Sequence, residues 1–163
     1  MEAIKVSILM GSKSDSEVMS AASAILDHFN VPYEVKVLSA HRTPEDTRDY
    51  VIGLEERGVE AIIAGAGFAA HLAGVIASHT VLPVIGVPLP GSALNGVDSL
   101  YSTVQMPGGI PVATMTIGKA GAKNAGLFAV QILSRKDPEL VSQLKEYRVD
   151  MRKQVLEANR TTN

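Results

Sequence analysis

The fold class is indicated most clearly by residues 61–89, whose sequence is AIIAGAGFAAHLAGVIASHTVLPVIGVPL. The pattern predicts a strand over residues 61–64, a helix over 68–78 and a second strand over 84–87, because two apolar runs flank a segment with helical spacing. Both strands are apolar along their whole length, which is typical of a parallel sheet that helices cover on both faces.

The same alternation continues outward from this unit. Strands are predicted at residues 4–10, 35–38 and 111–116, and helices at residues 15–29, 44–56 and 122–133. Together these elements indicate an α/β fold in which a parallel sheet lies between two helix layers, a three-layer αβα sandwich. A charged segment with one apolar stripe predicts a C-terminal helix over about 138–157, and residues 159–163 are expected to fray. We treat residues 1–163 as a single domain.

Composition excludes several classes of protein. The chain has no cysteine, so disulfide scaffolds, cysteine zinc sites and thiolate catalysis are excluded. It has 15 basic and 17 acidic residues, and this balance predicts no nucleic-acid partner. The apolar residues 61–89 are interrupted by glycine, proline and histidine, so we expect no membrane span. Residues 1–6 do not resemble a signal peptide, and we therefore expect a cytoplasmic protein.

Charged residues are very unevenly distributed along the chain. Residues 61–118 contain a single one, Asp98. The central strands of a sheet explain part of this segment, but a domain of this size has too much surface to hide all of it. We therefore expect the rest of the segment to be buried between identical subunits of a homo-oligomer.

Three loops are predicted to leave strands at their carboxyl ends, where parallel α/β sheets bind ligands. The first of them has the sequence GSKSD at residues 11–15. Its small hydroxyl side chains and the free N–H groups at a helix start are typical of a phosphate site. Ser12 with Asp15, and Ser14 with Glu17, also have the spacing of capping boxes, so both interpretations stay open.

The second loop has the sequence SAHRTP at residues 39–44. A titratable imidazole at His41 beside a permanently charged guanidinium at Arg42 indicates a general acid/base next to an anion-binding group. The alternative is a surface histidine and a solvated arginine before a helix that Thr43 caps. Their position at the carboxyl end of a strand favours the functional interpretation.

The third loop contains Gly65 and Gly67 in a loose match to the dinucleotide-binding fingerprint. No Asp or Glu lies between Glu60 and Asp98, so the acid that holds the ribose in that fingerprint is missing, and we exclude NAD and FAD. The glycines then indicate close backbone approach to a small ligand. His71 is interpreted either as a hydrogen-bonded core histidine or as a site residue. The chain has no metal-ligand spacing, so no metal is predicted.

These loops belong to a longer set of motifs. They are GSKSD at 11–15, SAHRTP at 39–44, GAGFAAHL at 65–72, LPVIGVP at 82–88, NGVDSL at 95–100, QMPGGIPV at 105–112 and IGKAGAKNA at 117–125. In this order they resemble the bacterial 5-(carboxyamino)imidazole ribonucleotide mutase family of purine biosynthesis. The resemblance implies a flavodoxin-like sheet, a homo-octamer and no cofactor. It also implies transfer of a carboxylate from the exocyclic amine of a ribonucleotide to its ring carbon.

The resemblance also implies roles for individual residues. The substrate-binding Ser, Asp and Arg of the family fall on Ser12, Asp15 and Arg42, and its catalytic His falls on His41. His71 is expected to face the imidazole ring and the carboxylate of the substrate. Further substrate-binding residues are predicted within the same motifs, at Ser14, Ser39, Gly67 and Leu72.

Two positions depart from the motifs of the family. This chain has Phe68 where the family has a second glycine, and Ala73 where it has a proline. Phe68 is expected either to face the interior of the following helix or to narrow the pocket. The fold and the assignment of His41 do not depend on these two positions.

Two alternative functions are considered. A related branch of the family carboxylates aminoimidazole ribonucleotide directly with carbon dioxide and has Lys in place of Arg42, so Arg42 and residues 65–72 favour the mutase. A flavodoxin-like FMN carrier would share the fold. It needs aromatic residues around the flavin, and aromatic residues make up only 4% of this chain.

Overall fold

The computed structural model describes residues 3–161 and is built around a parallel sheet. The strands are β1 (Val6–Met10), β2 (Tyr33–Val37), β3 (Ala61–Ala66), β4 (Val84–Pro88) and β5 (Ala113–Thr114). They pair in the order β2-β1-β3-β4-β5, and every pair is parallel. The predicted parallel α/β sheet is confirmed.

Helices connect successive strands and cover both faces of the sheet. They are α1 (Ser16–His28), α2 (Pro44–Ile52), α3 (Leu72–Ala77), α4 (Val97–Val104), α5 (Lys119–Leu133) and α6 (Pro138–Thr161). A short 3-10 turn, Lys13–Asp15, precedes α1. Because side chains alternate across a strand, Ile8 packs with α1 and α5 while its neighbour Leu9 packs with the helices of the other face. The two core clusters make the predicted three-layer αβα arrangement, which is confirmed.

Several predicted boundaries are wrong, each for a local reason. Helix α3 begins at Leu72 rather than at 68, because Phe68 has a φ of 55° that no right-handed helix can contain. Helix α2 ends at Ile52, where Gly53 follows, rather than at 56. Helix α4 was not predicted, and its cap Gly96 has a φ of 89°.

The end of the chain differs as well. Helix α6 continues to Thr161 rather than ending near 157, so residues 159–161 are helical where a frayed tail was predicted. The remainder of that predicted tail, residues 162–163, lies outside the described residues.

Within residues 3–161, none of the helices combines the length and the apolar character that crossing a membrane requires. The cytoplasmic location expected from the sequence stays a prediction.

Candidate active site

A cavity of about 690 Å³ opens at the carboxyl edge of the sheet. Its walls come from the loops that follow β1, β2, β3 and β4, next to the point where the chain switches from one side of β1 to the other. Every site residue predicted from the sequence lines this cavity. These residues are Ser12, Ser14, Asp15, Ser39, His41, Arg42, Gly67, His71 and Leu72. The structure therefore brings them together, and their roles stay predictions.

The loop after β1 is held by its own side chains. The Asp15 carboxylate accepts a hydrogen bond from the Ser12 N–H at 3.0 Å, and the Ser12 hydroxyl accepts bonds from Ser14 at its N–H (3.4 Å) and its hydroxyl (2.9 Å). This is the capping box predicted for Ser12 and Asp15, formed around the 3-10 turn. Ser12 and Asp15 therefore both form the capping box and line the cavity, because the box fixes the conformation of the loop in the cavity wall.

Opposing influences act on the Asp15 carboxyl group, which is half-buried. Burial raises its pKa above the ordinary value, while the Ser12 N–H and the charge of Arg42 act in the lowering direction. The net effect is a raised pKa. A half-buried carboxylate with unused acceptor capacity can accept hydrogen bonds from the hydroxyl groups of a ligand.

Arg42 links the loop after β2 to the loop after β1. Its Nη2 donates to the Gly11 carbonyl at 2.6 Å, and its Nε donates to the Ser39 hydroxyl at 3.4 Å. Within residues 3–161, none of the ion pairs involves this guanidinium, whose side chain is exposed to the cavity. Its positive charge is therefore positioned by neutral groups and forms no ion pair among residues 3–161, although it still acts on the nearby Asp15 carboxyl group.

His41 and His71 form a direct pair across the cavity. His41 Nε2 lies 2.8 Å from His71 Nδ1, and the two rings meet edge to face at 89°. Either nitrogen can be the donor, depending on the tautomer. Both histidines are exposed, so the interpretation of His71 as a core histidine is wrong. The pair gives the cavity two imidazoles that can exchange a proton with each other.

A protein-family model described as AIR carboxylase matches residues 5–154 of this chain. The chain belongs to the AIR carboxylase family.

Several relatives in this family carry the same name. The N5-carboxyaminoimidazole ribonucleotide mutase of Bacillus subtilis is 59% identical over 94% of this chain and 95% of its own length. That of Escherichia coli is 54% identical over 94% of this chain and 90% of its own. The crystal structure of Treponema denticola PurE superposes with a TM-score of 0.83 at 29% identity, covering 96% of each chain. The predicted resemblance, the flavodoxin-like fold and the prediction of a mutase-type enzyme are confirmed.

The two departures from the family's motifs lie in different environments. Phe68 is 63% exposed and lines the cavity, so the alternative in which its ring faces the helix interior is wrong. Ala73 is buried in α3, where its methyl group faces Gly86 of β4. Only the first departure therefore changes the cavity of this AIR carboxylase family member.

The glycines of the third loop have two different explanations. A Cβ added at Gly65 would collide with the sulfur of Met19 in α1, so this glycine is needed for core packing rather than for a ligand. A Cβ at Gly67 would lie 3.4 Å from the Leu89 carbonyl oxygen, and Gly67 does line the cavity. Gly65 does not line the cavity, so the expectation of close approach to a ligand stays a prediction for Gly67.

Sequence reasoning missed some of the lining residues of this family member. Pro90 and Gly91, in the loop after β4, complete the cavity wall together with Gly11, Ala40, Ala66 and Ala69. Pro90 and Gly91 could have been predicted from the sequence, because they follow the predicted strand β4. Its carboxyl end lies at the same edge of the sheet as those of β1, β2 and β3. The small residues have no chemical signature, since they contribute backbone and shape only.

Proposed function

We propose that this chain is an N5-carboxyaminoimidazole ribonucleotide mutase of purine biosynthesis in which His41 is the general acid/base. It moves the carboxylate of 5-(carboxyamino)imidazole ribonucleotide from the exocyclic nitrogen to the ring carbon, which gives 4-carboxy-5-aminoimidazole ribonucleotide. The observation that carries the proposal is the cavity in which a histidine pair lies beside an arginine held by neutral groups and a half-buried aspartate.

The phosphoribosyl end of the substrate binds to the loops after β1 and β2. Arg42 has N–H donors left besides those used on Gly11 and Ser39, and a guanidinium can bind two phosphate oxygens at once. The Ser12 and Ser14 hydroxyls add further hydrogen bonds to the phosphate. Asp15 accepts hydrogen bonds from the ribose hydroxyls. The Ser39 hydroxyl holds Arg42 in place by accepting hydrogen bonds from the N–H and the Nε of Arg42.

The carboxylate shift balances without any external reactant. The bond between the exocyclic nitrogen and the carboxyl carbon breaks, the nitrogen gains a proton, and carbon dioxide is released. The electron-rich ring carbon then forms a bond to the carbon dioxide and loses its own proton. One proton is gained and one is lost, no electron is transferred, and the reaction is an isomerisation.

A single group that donates and then accepts a proton therefore suffices. His41 can fill this role because an imidazole takes up and releases protons near neutral pH. His71, 2.8 Å away, holds one nitrogen of His41 by a hydrogen bond and thereby orients the ring. The rest of the third loop presents Ala66, Gly67, Ala69 and Leu72, an uncharged wall that helps to exclude water while the carbon dioxide is free.

The experiment that tests the proposal uses the two nucleotides that the family could accept. The protein is incubated with 5-(carboxyamino)imidazole ribonucleotide, or with aminoimidazole ribonucleotide and bicarbonate, and the carboxylated product is followed by its absorbance. We expect rapid turnover of the first nucleotide at a rate that bicarbonate does not change. A protein that turns over only the second nucleotide, at a rate proportional to the bicarbonate concentration, would be a direct carboxylase instead.

We further propose that the enzyme is a homo-oligomer. The resemblance to the family implies that the oligomer is an octamer. Large apolar side chains are exposed in and around α4, at Leu94, Val97, Tyr101 and Val104, within the segment that has a single charge. Surfaces of this kind are typical of contacts between subunits. Light scattering should give a mass several times the 17.2 kDa of one chain, and a monomeric mass would contradict the proposal.

A further inference from the structure

Phe68 combines two features that are individually unfavourable for folding. Its φ of 55° lies in the left-handed region, which is crowded for residues with a Cβ. The other non-glycine residues with positive φ among residues 3–161 are Asn30 and Asn95, and asparagine tolerates this region well. Phenylalanine lacks the short polar side chain that lets asparagine adopt this conformation. Phe68 is also 63% exposed instead of being buried. The phenyl group therefore adds strain and contributes little to the core.

The backbone on both sides of Phe68 is fixed by other contacts. The Ala66 carbonyl accepts from the Leu89 N–H at 2.9 Å, and the His71 N–H donates to the Ala69 carbonyl at 2.8 Å. These bonds hold the loop on either side of Phe68 and involve no atom of its side chain. A glycine at position 68 would adopt the same path with less strain. A strained, exposed side chain at the wall of a cavity is a candidate for a direct role in binding.

The position of the ring in the cavity indicates what it contacts. Phe68 is the one phenyl ring among the described residues that line the cavity. It belongs to the same loop as His71, which pairs with His41, whereas Ser12, Asp15 and Arg42 belong to the other two loops. If the phosphoribosyl end binds to those two loops, the planar heterocycle of the nucleotide lies next to the third loop.

We propose that the ring of Phe68 stacks on the imidazole ring of the bound nucleotide and determines the affinity for that half of the ligand. This inference rests on the proposed function, because it takes the heterocycle from the proposed reaction. An aromatic face and a flat heterocycle stack favourably, and the contact is made by the ring face and not by polar groups.

The test compares two ligands that differ in the heterocycle. Calorimetry gives dissociation constants of the wild type and of Phe68→Leu for the product, 4-carboxy-5-aminoimidazole ribonucleotide, and for ribose 5-phosphate. Phe68→Leu keeps an apolar side chain and removes the aromatic face. We expect it to weaken product binding by about 5- to 100-fold and to leave ribose 5-phosphate binding within about twofold. Phe68→Tyr, which keeps the ring, should bind both ligands like the wild type.

A spectroscopic test uses the absence of tryptophan from the chain. Phe68→Trp introduces a single indole at the cavity, and Phe128→Trp, on α5 and away from the cavity, is the matched control. We expect the emission of Phe68→Trp to change when the product is added and to change much less with ribose 5-phosphate. The emission of Phe128→Trp should respond to neither ligand.

Different failures have different meanings. Equal binding of the product by the wild type and by Phe68→Leu overturns the stacking proposal and leaves the proposed function intact. Equal weakening of both ligands also overturns it, since the side chain then acts on the loop and not on the heterocycle. A lower oligomer mass of Phe68→Leu with unchanged affinity would assign the ring to a subunit contact. If the wild type neither binds nor turns over the nucleotide, the proposed function and the stacking proposal both fall.

Discussion

The carboxyl edge and the amino edge of the sheet each have a cavity lined by charged side chains, and they hold these charges differently. The cavity of about 490 Å³ at the amino edge is lined by Lys5, Glu60 and Lys136, and by Asp137 and Glu139, which accept hydrogen bonds at the start of α6. There Glu60 pairs with Lys5 at 2.9 Å and with Lys136 at 3.3 Å. At the carboxyl edge, Arg42 donates to a carbonyl and a hydroxyl, and Asp15 accepts from a backbone N–H.

The ion pairs of Glu60 stabilise the folded chain, whereas the charges of Arg42 and Asp15, which form no ion pair among residues 3–161, are available to a ligand. Hydrogen bonds from Lys5, and then from Lys136, lower the pKa of Glu60 despite the opposing effect of burial. Burial raises the pKa of Asp15, although Ser12 and Arg42 act against it. Ionised Glu60 is therefore stabilised by the folded structure, and ionised Asp15 is destabilised by it. At the amino edge Glu60 is thus already paired with two cations, whereas Arg42 and Asp15 are held mainly by neutral groups.

The largest effect is expected from changing His41 to Asn. Asparagine keeps a side chain of similar size that can hydrogen-bond, but it cannot cycle a proton. Turnover should fall by about 10²- to 10⁴-fold or more, because a positioned general acid/base contributes this much and His71 only orients His41 in the proposed mechanism. Single-turnover assays measure the loss. The variant should still fold, assemble and bind the product, since the phosphate and ribose contacts come from other residues.

The matched variant is His71→Asn, which changes the partner in the same hydrogen bond. We expect a smaller loss of turnover, because His71 orients His41 and does not carry the transferred proton itself. The reverse pattern, with His71→Asn inactive and His41→Asn merely impaired, would transfer the acid/base role to His71. Near-normal turnover of His41→Asn would eliminate the proposed mechanism.

An intermediate effect is expected from the cations of the two edges. Arg42→Ala removes a cation that neutral groups hold in the cavity, together with its forked donors, so the Michaelis constant should rise by about 10- to 100-fold. Lys136→Ala removes a cation that is 80% exposed and pairs with Glu60 at the other edge. It should leave the Michaelis constant unchanged and alter stability by less than about 1 kcal/mol. A similar Michaelis constant for Arg42→Ala and the wild type would move the phosphate site away from the first two loops.

The smallest effect concerns stability and pH, and it has opposite signs at the two edges. The folded-state pKa of Glu60 is lowered from 4.5, so its stabilising contribution is complete above that pH and is lost as the pH falls through the folded-state value. The folded-state pKa of Asp15 is raised from 3.8, so stability is lost as the pH rises above 3.8 and stays reduced at neutrality.

Two neutral variants test these signs by chemical unfolding between pH 7 and about pH 3.5. At pH 7 we expect Glu60→Gln to be less stable than the wild type, and Asp15→Asn to be slightly more stable. Both differences should be below about 1 kcal/mol, because neither carboxyl group is fully buried. Both should shrink towards the acidic end. Destabilisation of both variants at pH 7 would mean that Asp15 serves the fold in the same way as Glu60.

Much of the framework could be predicted because the strands have uniform patterns. Strands β1, β3 and β4 are completely or almost completely buried, so their sequences are apolar apart from Ser7 in β1. Helix α4 was missed because it is short and begins after Gly96 with no side-chain cap. Thr43 occupies the N-cap position of α2 as predicted, but it makes no side-chain capping bond, because its hydroxyl bonds to the Ser39 backbone instead. Such a local competition between hydrogen-bond partners has no sequence signature.

In the candidate site, the positions of the loops could also be predicted from the sequence, whereas contacts between distant residues could not. The three loops could be predicted because each follows a strand, and parallel strands bring their carboxyl ends to one edge. The contact between His41 and His71 could not, because the two residues lie 30 positions apart and either could have faced solvent. The orientation of Phe68 also depended on a backbone angle that phenylalanine rarely adopts.

The bond from Arg42 to the Gly11 carbonyl has a consequence for the thermodynamics of association. A free arginine side chain samples many rotamers, and fixing it costs up to about 2 kcal/mol of conformational entropy. Here the side chain is already fixed across two loops by Gly11 and Ser39, so much of that cost is met during folding. The loop after β1 is likewise ordered by its own capping box. An incoming phosphate therefore meets a receptor that is already ordered, and little of its binding enthalpy is offset by freezing side chains.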